Sequence, residues 1–397
     1  MSPGCTSKRR YFLPVAVQAK GGYWPSSSLP RQAGLLPIAD ASSEERVHGS
    51  GDAAVGGIRI EMAKSLKNLI AAAPAQMHKT WTTSAVDTHC LHFLAAWTGS
   101  DVPQREEALV WLTQKQDILA LSKASTSTSR MIQRCITDAN GDTRLYLVKP
   151  LNGSVLEMIK SPHGNYVIST CIKALRFDMV FFIAAEVKPD LLNVACSQYG
   201  CRVVEALLDS FPITSEVQLG IATELAKNAI VLADNRHGNY CLQSLLKAIC
   251  DASPQHKKTL QGIRQTIFDS FLKQTPESFQ SLAFKPSGSR VIQKLLPMAT
   301  TVEALSFIAA LAPDAPAIQK LALSRPGIFV LEQMFTSRGG VGSLETSTKI
   351  LDMQTRRLCM LREDSMIEKL TKTEHGAQFL RAVGKIFPSR TLSGPDQ

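Results

Sequence analysis

The chain has 397 residues, a formal net charge of +10 and a sequence pI near 9.2. Its hydrophobic content of 44% is enough to build a large core, and no apolar run is long enough to span a bilayer. A basic excess fits a phosphate-rich partner, but it also occurs in proteins of many other classes. Composition therefore argues against an integral membrane protein and leaves the function to the pattern of residues.

The first 61 residues lack apolar periodicity and are rich in Gly, Ser, Pro and Ala, which is typical of a disordered segment. Five basic residues precede its first acidic residue, Asp40. Such a composition occurs in organelle transit peptides and in the tails of cytoplasmic or nuclear proteins. We expect a cytoplasmic protein. The alternatives are a nuclear or nucleolar location, or an organellar one if this segment is a transit peptide.

Helical patterning follows and predicts one repeat domain at residues 62–387, with a disordered tail at 388–397. Residues 109–122 predict an amphipathic helix that leads into the repeats. Further along the chain, Ser215–Asn228 and Thr301–Leu311 predict supporting helices. A segment rich in Pro and Ser near Asp251–Lys258 predicts a surface loop.

One short pattern recurs along this domain: a glycine, a small polar residue, a ring or Arg, two apolar residues and a polar residue. Seven copies start at Thr128, Gly164, Gly200, Gly238, Gly288, Gly327 and Gly376. The steps from Gly164 to Gly200 and from Gly200 to Gly238 are 36 and 38 residues, and the next step is 50. A faint eighth copy lies at residues 87–92. A period of this length predicts a solenoid whose units bury their apolar faces against their neighbours.

Within each copy the apolar residues fall at helical spacing, as Val167, Ile168 and Cys171 do in the copy that starts at Gly164. Steps of three and four place them on one buried stripe of a helix. Polar residues four apart, such as Asn165 and Ser169, share a different stripe. The pattern predicts an all-α solenoid in which each repeat displays three side chains on the face opposite its core.

These helices resemble the base-reading helices of the Pumilio (PUF) family of RNA-binding repeats. The resemblance rests on Asn165-Tyr166, Cys201-Arg202, Asn239-Tyr240 with Gln243, and Ser289-Arg290 with Gln293. It covers residues 80–387 and implies a curved α-solenoid (superhelix) of three-helix repeats, seven of them clear and an eighth expected. It also implies that each repeat takes one RNA base on the concave face.

The resemblance assigns a role to each display position. The first and last positions are implied to contact base edges, namely Ser129, Gln133, Asn165, Ser169, Cys201, Glu205, Asn239, Gln243, Ser289, Gln293, Glu332 and Arg381. The middle position is implied to stack between bases, namely Arg130, Tyr166, Arg202, Tyr240, Arg290, Phe329 and Gln378. The amides of Asn239 and Gln243 suit uracil, because they both donate and accept hydrogen bonds, whereas ionised Glu205 only accepts and suits guanine. Ser with Gln, as in the copies at Thr128 and Gly288, implies adenine.

Three copies depart from the family pattern. Ser169 stands where an amide or carboxylate is expected, Ile328 with Glu332 is not a recognised pair, and Ala377 with Arg381 is irregular. Read from the carboxyl end, the display implies a target of the form 5′-N-N-A-U-G-N-A-N-3′. This differs from the UGUA-led target that is expected of the best-known members of the family.

The resemblance implies single-stranded RNA as the partner, either an mRNA 3′ untranslated region or a precursor ribosomal RNA, with regulatory proteins on the convex face. It implies post-transcriptional regulation of mRNA or a role in RNA processing by a monomer, and no membrane partner is expected. The alternative is an armadillo-like or HEAT-like scaffold that binds protein without RNA specificity.

No motif of a catalytic site is present, so an enzyme is not expected. The nine cysteines include no CxxC pair, which favours a reducing compartment. His89 and His92 lie beside Cys90, but zinc requires four converging ligands. Neither a metal nor another cofactor is therefore expected.

Overall fold

The computed structural model describes residues 97, 117–139, 141–210, 213, 215–337, 344–361 and 364–386. All of these residues belong to one compact unit. The predicted segments at 1–61 and 388–397 and the faint copy at 87–92 lie outside the described residues. The predicted domain boundaries therefore stay predictions.

The described chain folds into seven successive repeats, each ending in the helix that carries one copy of the sequence pattern. The first four repeats contain α1 (Ile118–Ala124), α2 (Thr126–Asp138), α3 (Gly141–Val148), α4 (Val155–Lys160), α5 (Gly164–Ala174), α6 (Phe177–Val187), α7 (Leu191–Ala195), α8 (Gly200–Ser210), α9 (Glu216–Lys227), α10 (Ala229–Asp234) and α11 (Gly238–Asp251). The last three contain α12 (Pro254–Leu272), α13 (Pro276–Ala283), α14 (Pro286–Met298), α15 (Thr301–Leu311), α16 (Ala315–Leu323), α17 (Arg325–Thr336), α18 (Leu344–Cys359), α19 (Asp364–Thr371) and α20 (Glu374–Ile386).

The last helix of each repeat contacts the last helix of the next repeat, so these helices form one continuous row. We name α2, α5, α8, α11, α14, α17 and α20 the display helices of repeats 1 to 7. Their apolar stripes are buried between repeats: Val167, Ile168 and Cys171 of α5 are all fully buried. The prediction of an all-α solenoid is confirmed, because each unit buries its apolar face against its neighbours.

The motif glycines mark places where a display helix starts against the end of the helix before it. A Cβ at Gly288 would lie 2.3 Å from the carbonyl oxygen of Leu282, and one at Gly376 would lie 2.1 Å from that of Leu370. No side chain fits at such a distance, which accounts for the glycine in these copies. In repeats 2, 3, 4, 6 and 7 the backbone N–H of the glycine donates to a side-chain oxygen three residues earlier, as to Ser161 Oγ at 3.0 Å in repeat 2.

The long spacing between Gly238 and Gly288 is produced by a longer helix. The prediction of a loop at Asp251–Lys258 is wrong. Only Ala252 and Ser253 separate α11 from α12, and α12 runs for 19 residues from Pro254. Proline is well tolerated in the first turn of a helix, where its missing N–H has no partner to lose. The same Pro and Ser therefore start a helix here instead of forming a loop.

The helix predicted at residues 109–122 is also interrupted. Asp117 has extended backbone angles, and its side chain accepts a hydrogen bond from the Ala120 N–H at 3.0 Å, so that α1 begins at Ile118. An acidic residue that caps a helix cannot lie in its interior. Residues 109–116 lie outside the described ranges.

Repeats 5 and 6 are joined by a buried ion pair and a group of aromatic rings. Arg264 of α12 donates to both carboxylate oxygens of Glu303 at 3.2 and 2.5 Å and to the carbonyl oxygen of Met298 at 2.8 Å. Phe268 of α12 stacks on Phe307 of α15 with ring centroids 5.8 Å apart. These contacts link the two repeats on the side of the first helices.

Within the described ranges, no single helix combines the length and apolar character needed to cross a membrane. By length and composition alone, α15 and α16 meet that requirement only when taken together, and they are bent by 86° relative to each other.

Candidate functional site

The display positions of the seven helices lie in one row, and each position has its own degree of exposure. All nineteen residues predicted to contact RNA lie on display helices, at the same three places of the helix. The first position is buried in six repeats and half-buried in repeat 7. The middle position is exposed in six repeats and half-buried in one, and the last position is half-buried in six repeats and exposed in repeat 7. We call the surface formed by these positions the display face.

The first display position does not face the solvent as the sequence pattern suggested. Ser129, Asn165, Cys201, Asn239, Ser289 and Ile328 are at most 4% exposed. This position follows the motif glycine, where the display helix is packed closely against its surroundings. The expectation that all three positions lie opposite the core is therefore wrong for the first one.

In repeats 1 and 4 the buried first residue orients the last one. Gln133 Nε2 donates to Ser129 Oγ at 3.0 Å, and Gln243 Nε2 donates to Asn239 Oδ1 at 2.9 Å. Asn239 is itself held by its Nδ2, which donates to the carbonyl oxygens of Asn235 and Arg236 at 3.0 and 2.9 Å. The half-buried glutamines thus carry their amides to the display face in a defined direction.

Repeat 2 uses its polar groups differently. The hydroxyl of Ser169 donates to the carbonyl oxygen of Asn165 at 2.9 Å, and Asn165 Nδ2 donates to the carbonyl oxygen of Ser161 at 2.8 Å. The buried Oδ1 of Asn165 accepts no hydrogen bond from the described residues. Because Ser169 bonds to its own helix, repeat 2 has no last residue that reaches outward, in agreement with its irregular sequence.

Glu205 is the one acidic last residue among repeats 1 to 5. Its carboxylate is half-buried and forms neither an ion pair nor a hydrogen bond with the described residues. Burial, with a contribution from Asp209, raises the pKa of Glu205 to about 7, and Arg202 and Lys173 only partly oppose this. Near neutral pH the group therefore exists both as a carboxylate that accepts hydrogen bonds and as a carboxylic acid that also donates one.

The middle residues of neighbouring repeats meet in pairs. Arg202 Nη1 donates to the Tyr166 hydroxyl at 2.6 Å, with its guanidinium carbon 5.5 Å from the ring centroid. Arg290 repeats the arrangement with Tyr240 at 2.9 Å and 5.8 Å. The two tyrosines remain 45% and 39% exposed. Each pair presents flat faces on both sides of a repeat junction, which suits stacking with a planar ligand.

Repeats 6 and 7 lack a polar residue at the first display position and a Tyr–Arg pair at the middle position. The first position is the buried Ile328 in repeat 6 and the half-buried Ala377 in repeat 7. Phe329 is half-buried and contacts the ring of His375 at 5.2 Å between centroids. The remaining predicted residues of these repeats are the half-buried Glu332 and the exposed Gln378 and Arg381.

Sequence reasoning missed one polar residue of this surface. Thr170 follows the last display position of repeat 2, and its hydroxyl lies 3.2 Å from Oε1 of Gln133 in repeat 1. No local signal could have identified it, because the two residues are 37 positions apart. Among the described residues, no group of three or more His, Cys, Asp or Glu side chains could hold a metal ion, and residues 89–92 lie outside the described ranges.

The fold and the display face together define a class of protein, an α-solenoid with one set of three display residues per repeat. A sequence model described as a Pumilio-family RNA binding repeat matches residues 129–149, 154–187, 190–214 and 278–305. Pumilio homolog 11 of Arabidopsis thaliana is 24% identical over 49% of this chain and 32% of its own length. A Pumilio domain-containing protein of Schizosaccharomyces pombe is 28% identical over 29% of this chain and 11% of its own length.

Solved structures show the same fold. The Puf3 RNA binding domain bound to a Cox17 RNA 3′ UTR recognition sequence has a TM-score of 0.59 at 18% identity, over 85% of this chain and 96% of that one. PUF-8 in complex with PBE-RNA has a TM-score of 0.57 at 17% identity, over 85% and 94%. The chain is thus similar to the Pumilio family in four matched segments of its sequence and in its fold. Its matched region spans about a third of the length of the Arabidopsis relative.

Proposed function

We propose that this protein binds single-stranded RNA on its display face and takes one base at each repeat. The observation that carries the proposal is the recurrence of one arrangement. Tyr166 with Arg202, and Tyr240 with Arg290, provide flat faces across a repeat junction, and a half-buried last residue lies one turn further along the same helix.

Each set of display residues matches a type of base edge. The amide of Gln243 offers a free carbonyl oxygen and a second N–H, which suits the alternating edge of uracil. The carboxylate of Glu205 lacks a donor in the described protein and suits the two adjacent N–H groups of guanine. Ser129 with Gln133, and Ser289 with Gln293, are assigned to adenine on the family pattern.

The middle residues supply most of the affinity. Stacking on an aromatic or Arg side chain contributes about 1–3 kcal/mol per base. The exposed Arg130, Arg202 and Arg290 add positive charge along the row, so that affinity should fall with rising salt concentration. We propose a role in post-transcriptional regulation or RNA processing, by binding and not by catalysis.

A selection from randomised RNA with the whole chain tests this proposal. We expect enrichment of RNAs that contain a central A-U-G read by repeats 5, 4 and 3. The double variant Tyr240→Ala with Arg290→Ala should then weaken binding of the selected RNA by roughly tenfold or more. Tyr146→Ala is the matched control, because Tyr146 is 62% exposed on α3, outside the display helices.

Two outcomes would contradict the proposal. A selection that enriches no common sequence would exclude base-specific binding. Equal losses in the double variant and in Tyr146→Ala would remove the display face as the site. Binding of a peptide that does not change with salt concentration would instead indicate a protein scaffold.

A further inference from the structure

Asn165 of repeat 2 carries a buried acceptor that has no partner among the described residues. The residue is fully buried, and its Nδ2 donates to the carbonyl oxygen of Ser161 at 2.8 Å. A backbone carbonyl only accepts, so this bond determines which end of the amide is the nitrogen. The other end, Oδ1, receives no hydrogen bond from the described protein. Because an unpaired buried acceptor costs free energy, a ligand that supplies a donor gains more here than at an exposed oxygen.

Repeat 4 shows from which side a donor reaches this oxygen. Asn239 occupies the same place as Asn165, and its Nδ2 likewise donates to the carbonyl oxygen four residues earlier, that of Asn235, at 3.0 Å. The shared anchor gives the two amides the same direction. In repeat 4, Oδ1 then accepts from Gln243 Nε2 at 2.9 Å. Oδ1 of Asn165 therefore points toward the last display position of its own repeat, which is Ser169.

Ser169 does not supply the missing donor. A serine hydroxyl carries one proton, and that of Ser169 donates to the backbone carbonyl oxygen of Asn165 at 2.9 Å. The hydroxyl oxygen can then only accept a further hydrogen bond. The serine side chain is also shorter than that of glutamine and ends before the place that the Gln243 amide takes in repeat 4. Asn165 Oδ1 and Ser169 Oγ thus offer two acceptors and no donor.

We propose that repeat 2 reads guanine, with Asn165 Oδ1 as the atom that determines its specificity. The proposal rests on the proposed function. Guanine carries two adjacent N–H donors, whereas adenine, cytosine and uracil each place an acceptor beside their donor. An acceptor that faced Oδ1 would leave this buried oxygen unpaired. Repeat 2 thus selects the same base as repeat 3, where Glu205 only accepts, and the centre of the target reads A-U-G-G.

The test uses the whole chain and selected RNAs that differ only in the base after A-U-G, which faces repeat 2. Guanine should bind about 2- to 10-fold more tightly than each of the other three bases, as expected for one ordinary hydrogen bond. Inosine lacks the amino group of guanine and should lose part of this preference. Equal binding of the four bases, or a preference for uracil, would overturn the proposal.

Two variants change the acceptor and its partner separately. Asn165→Cys removes Oδ1, and the same place in repeat 3 is taken by the buried Cys201, so the helix accommodates this residue. The preference for guanine should fall by about 2- to 10-fold at repeat 2 and stay unchanged at repeat 3. Ser169→Gln supplies the donor that Gln243 supplies in repeat 4, and it should replace the preference for guanine by one for uracil. An undiminished preference in Asn165→Cys would assign guanine reading to another group and overturn the proposal.

A matched control lies on the same display helix. Lys173 is exposed one turn beyond Ser169. Lys173→Gln introduces the same amide away from Asn165, so it should leave the base preference at repeat 2 unchanged. A change of preference equal to that in Ser169→Gln would show that the place of the amide does not matter, which contradicts the proposal.

A measurement on the free protein separates this inference from the proposed function. In Ser169→Gln, one N–H of the introduced amide should be protected from exchange with solvent by its bond to Asn165 Oδ1. The amide introduced by Lys173→Gln should not be protected. If neither amide is protected, the inference fails whatever RNA is bound. If protection is seen but no RNA binds, the proposed function fails while the direction of the buried acceptor stands.

Discussion

Repeats 1 to 5 and repeats 6 to 7 are packed in the same way but display different side chains. A Cβ at Gly327 or Gly376 would lie 2.6 or 2.1 Å from the carbonyl oxygen of the preceding middle helix, much as at Gly288. The first display position is nevertheless apolar in repeats 6 and 7, where Ile328 and Ala377 replace the polar residues. Packing constrains every repeat, because each must bury its apolar face against its neighbour. The display residues are constrained only by what binds to them.

The two regions meet at the ion pair between Arg264 and Glu303. Their side chains are only 11% and 9% exposed. Burial opposes ionisation of Glu303, but hydrogen bonds from Arg264 and Thr300 outweigh it and hold the pKa of Glu303 below its ordinary value. This pair is therefore the point at which the stability of one region can be separated from that of the other.

Breaking the ion pair between Arg264 and Glu303 should have the largest effect on stability. We expect Arg264→Met to lower the free energy of unfolding by roughly 3–5 kcal/mol, because it leaves a buried carboxylate without its partner. Urea unfolding followed by circular dichroism measures the loss. If the joint couples the two regions, the unfolding curve of the variant should separate into two transitions.

The control for that variant is an exposed ion pair. Lys285 and Asp234 are 47% and 46% exposed, and Asp234→Ala should cost no more than about 1 kcal/mol. Because the folded-state pKa of Glu303 is lowered, its contribution to stability is present above its unfolded pKa and is lost as the pH falls through the folded pKa. The difference between wild type and Arg264→Met should therefore shrink at acidic pH, and a constant difference would contradict this account.

The second prediction concerns guanine reading in repeat 3. Only the carboxylate form of Glu205 can accept from both N–H groups of guanine, and its pKa in the free protein is raised to about 7, mainly by burial. Affinity for an RNA with guanine at this base should therefore be level above that pH and fall by about tenfold per pH unit below it. Fluorescence anisotropy between about pH 5.5 and 8.5 measures the slope.

Two variants sharpen this prediction. Glu205→Gln should bind with no such pH dependence and should shift the preference from guanine toward adenine. Asp209→Asn should move the midpoint to lower pH, because the charge of Asp209 contributes to the raised pKa of Glu205. A slope that persists in Glu205→Gln would assign the pH dependence to another group.

The smallest expected effect is the gain of a display in repeat 6. Ile328→Asn with Glu332→Gln copies Asn239 and Gln243 of repeat 4 onto a helix with the same packing. Asn239 is 1% exposed and is held by backbone carbonyls, so the buried position accepts an amide. We expect a preference of about 2- to 10-fold for uracil at the facing base, of the size of one or two hydrogen bonds. Selections with the wild type and the double variant compare this base, and identical results would show that the two regions differ in more than these side chains.

Much of the fold could be predicted from local patterns. Gly164, Gly200 and Gly238 begin display helices where the repeat placed them, and α15 spans Thr301–Leu311 as predicted. The errors arose where one signal has two structural meanings. Pro254 starts a helix and was taken as part of a loop, and Asp117 caps a helix within a pattern that looked continuous.

For the site, the sequence determined which three positions of each helix form the display, because the repeat is regular and helical spacing assigns them to one side. Only the tertiary structure determined how deeply each of these positions is buried. Asn165 and Ser289 are buried, Tyr166 is exposed, and Thr170 reaches the display residue of the previous repeat. These properties depend on the rotation and distance between successive repeats, and contacts between residues 37 or more positions apart leave no trace in a local pattern.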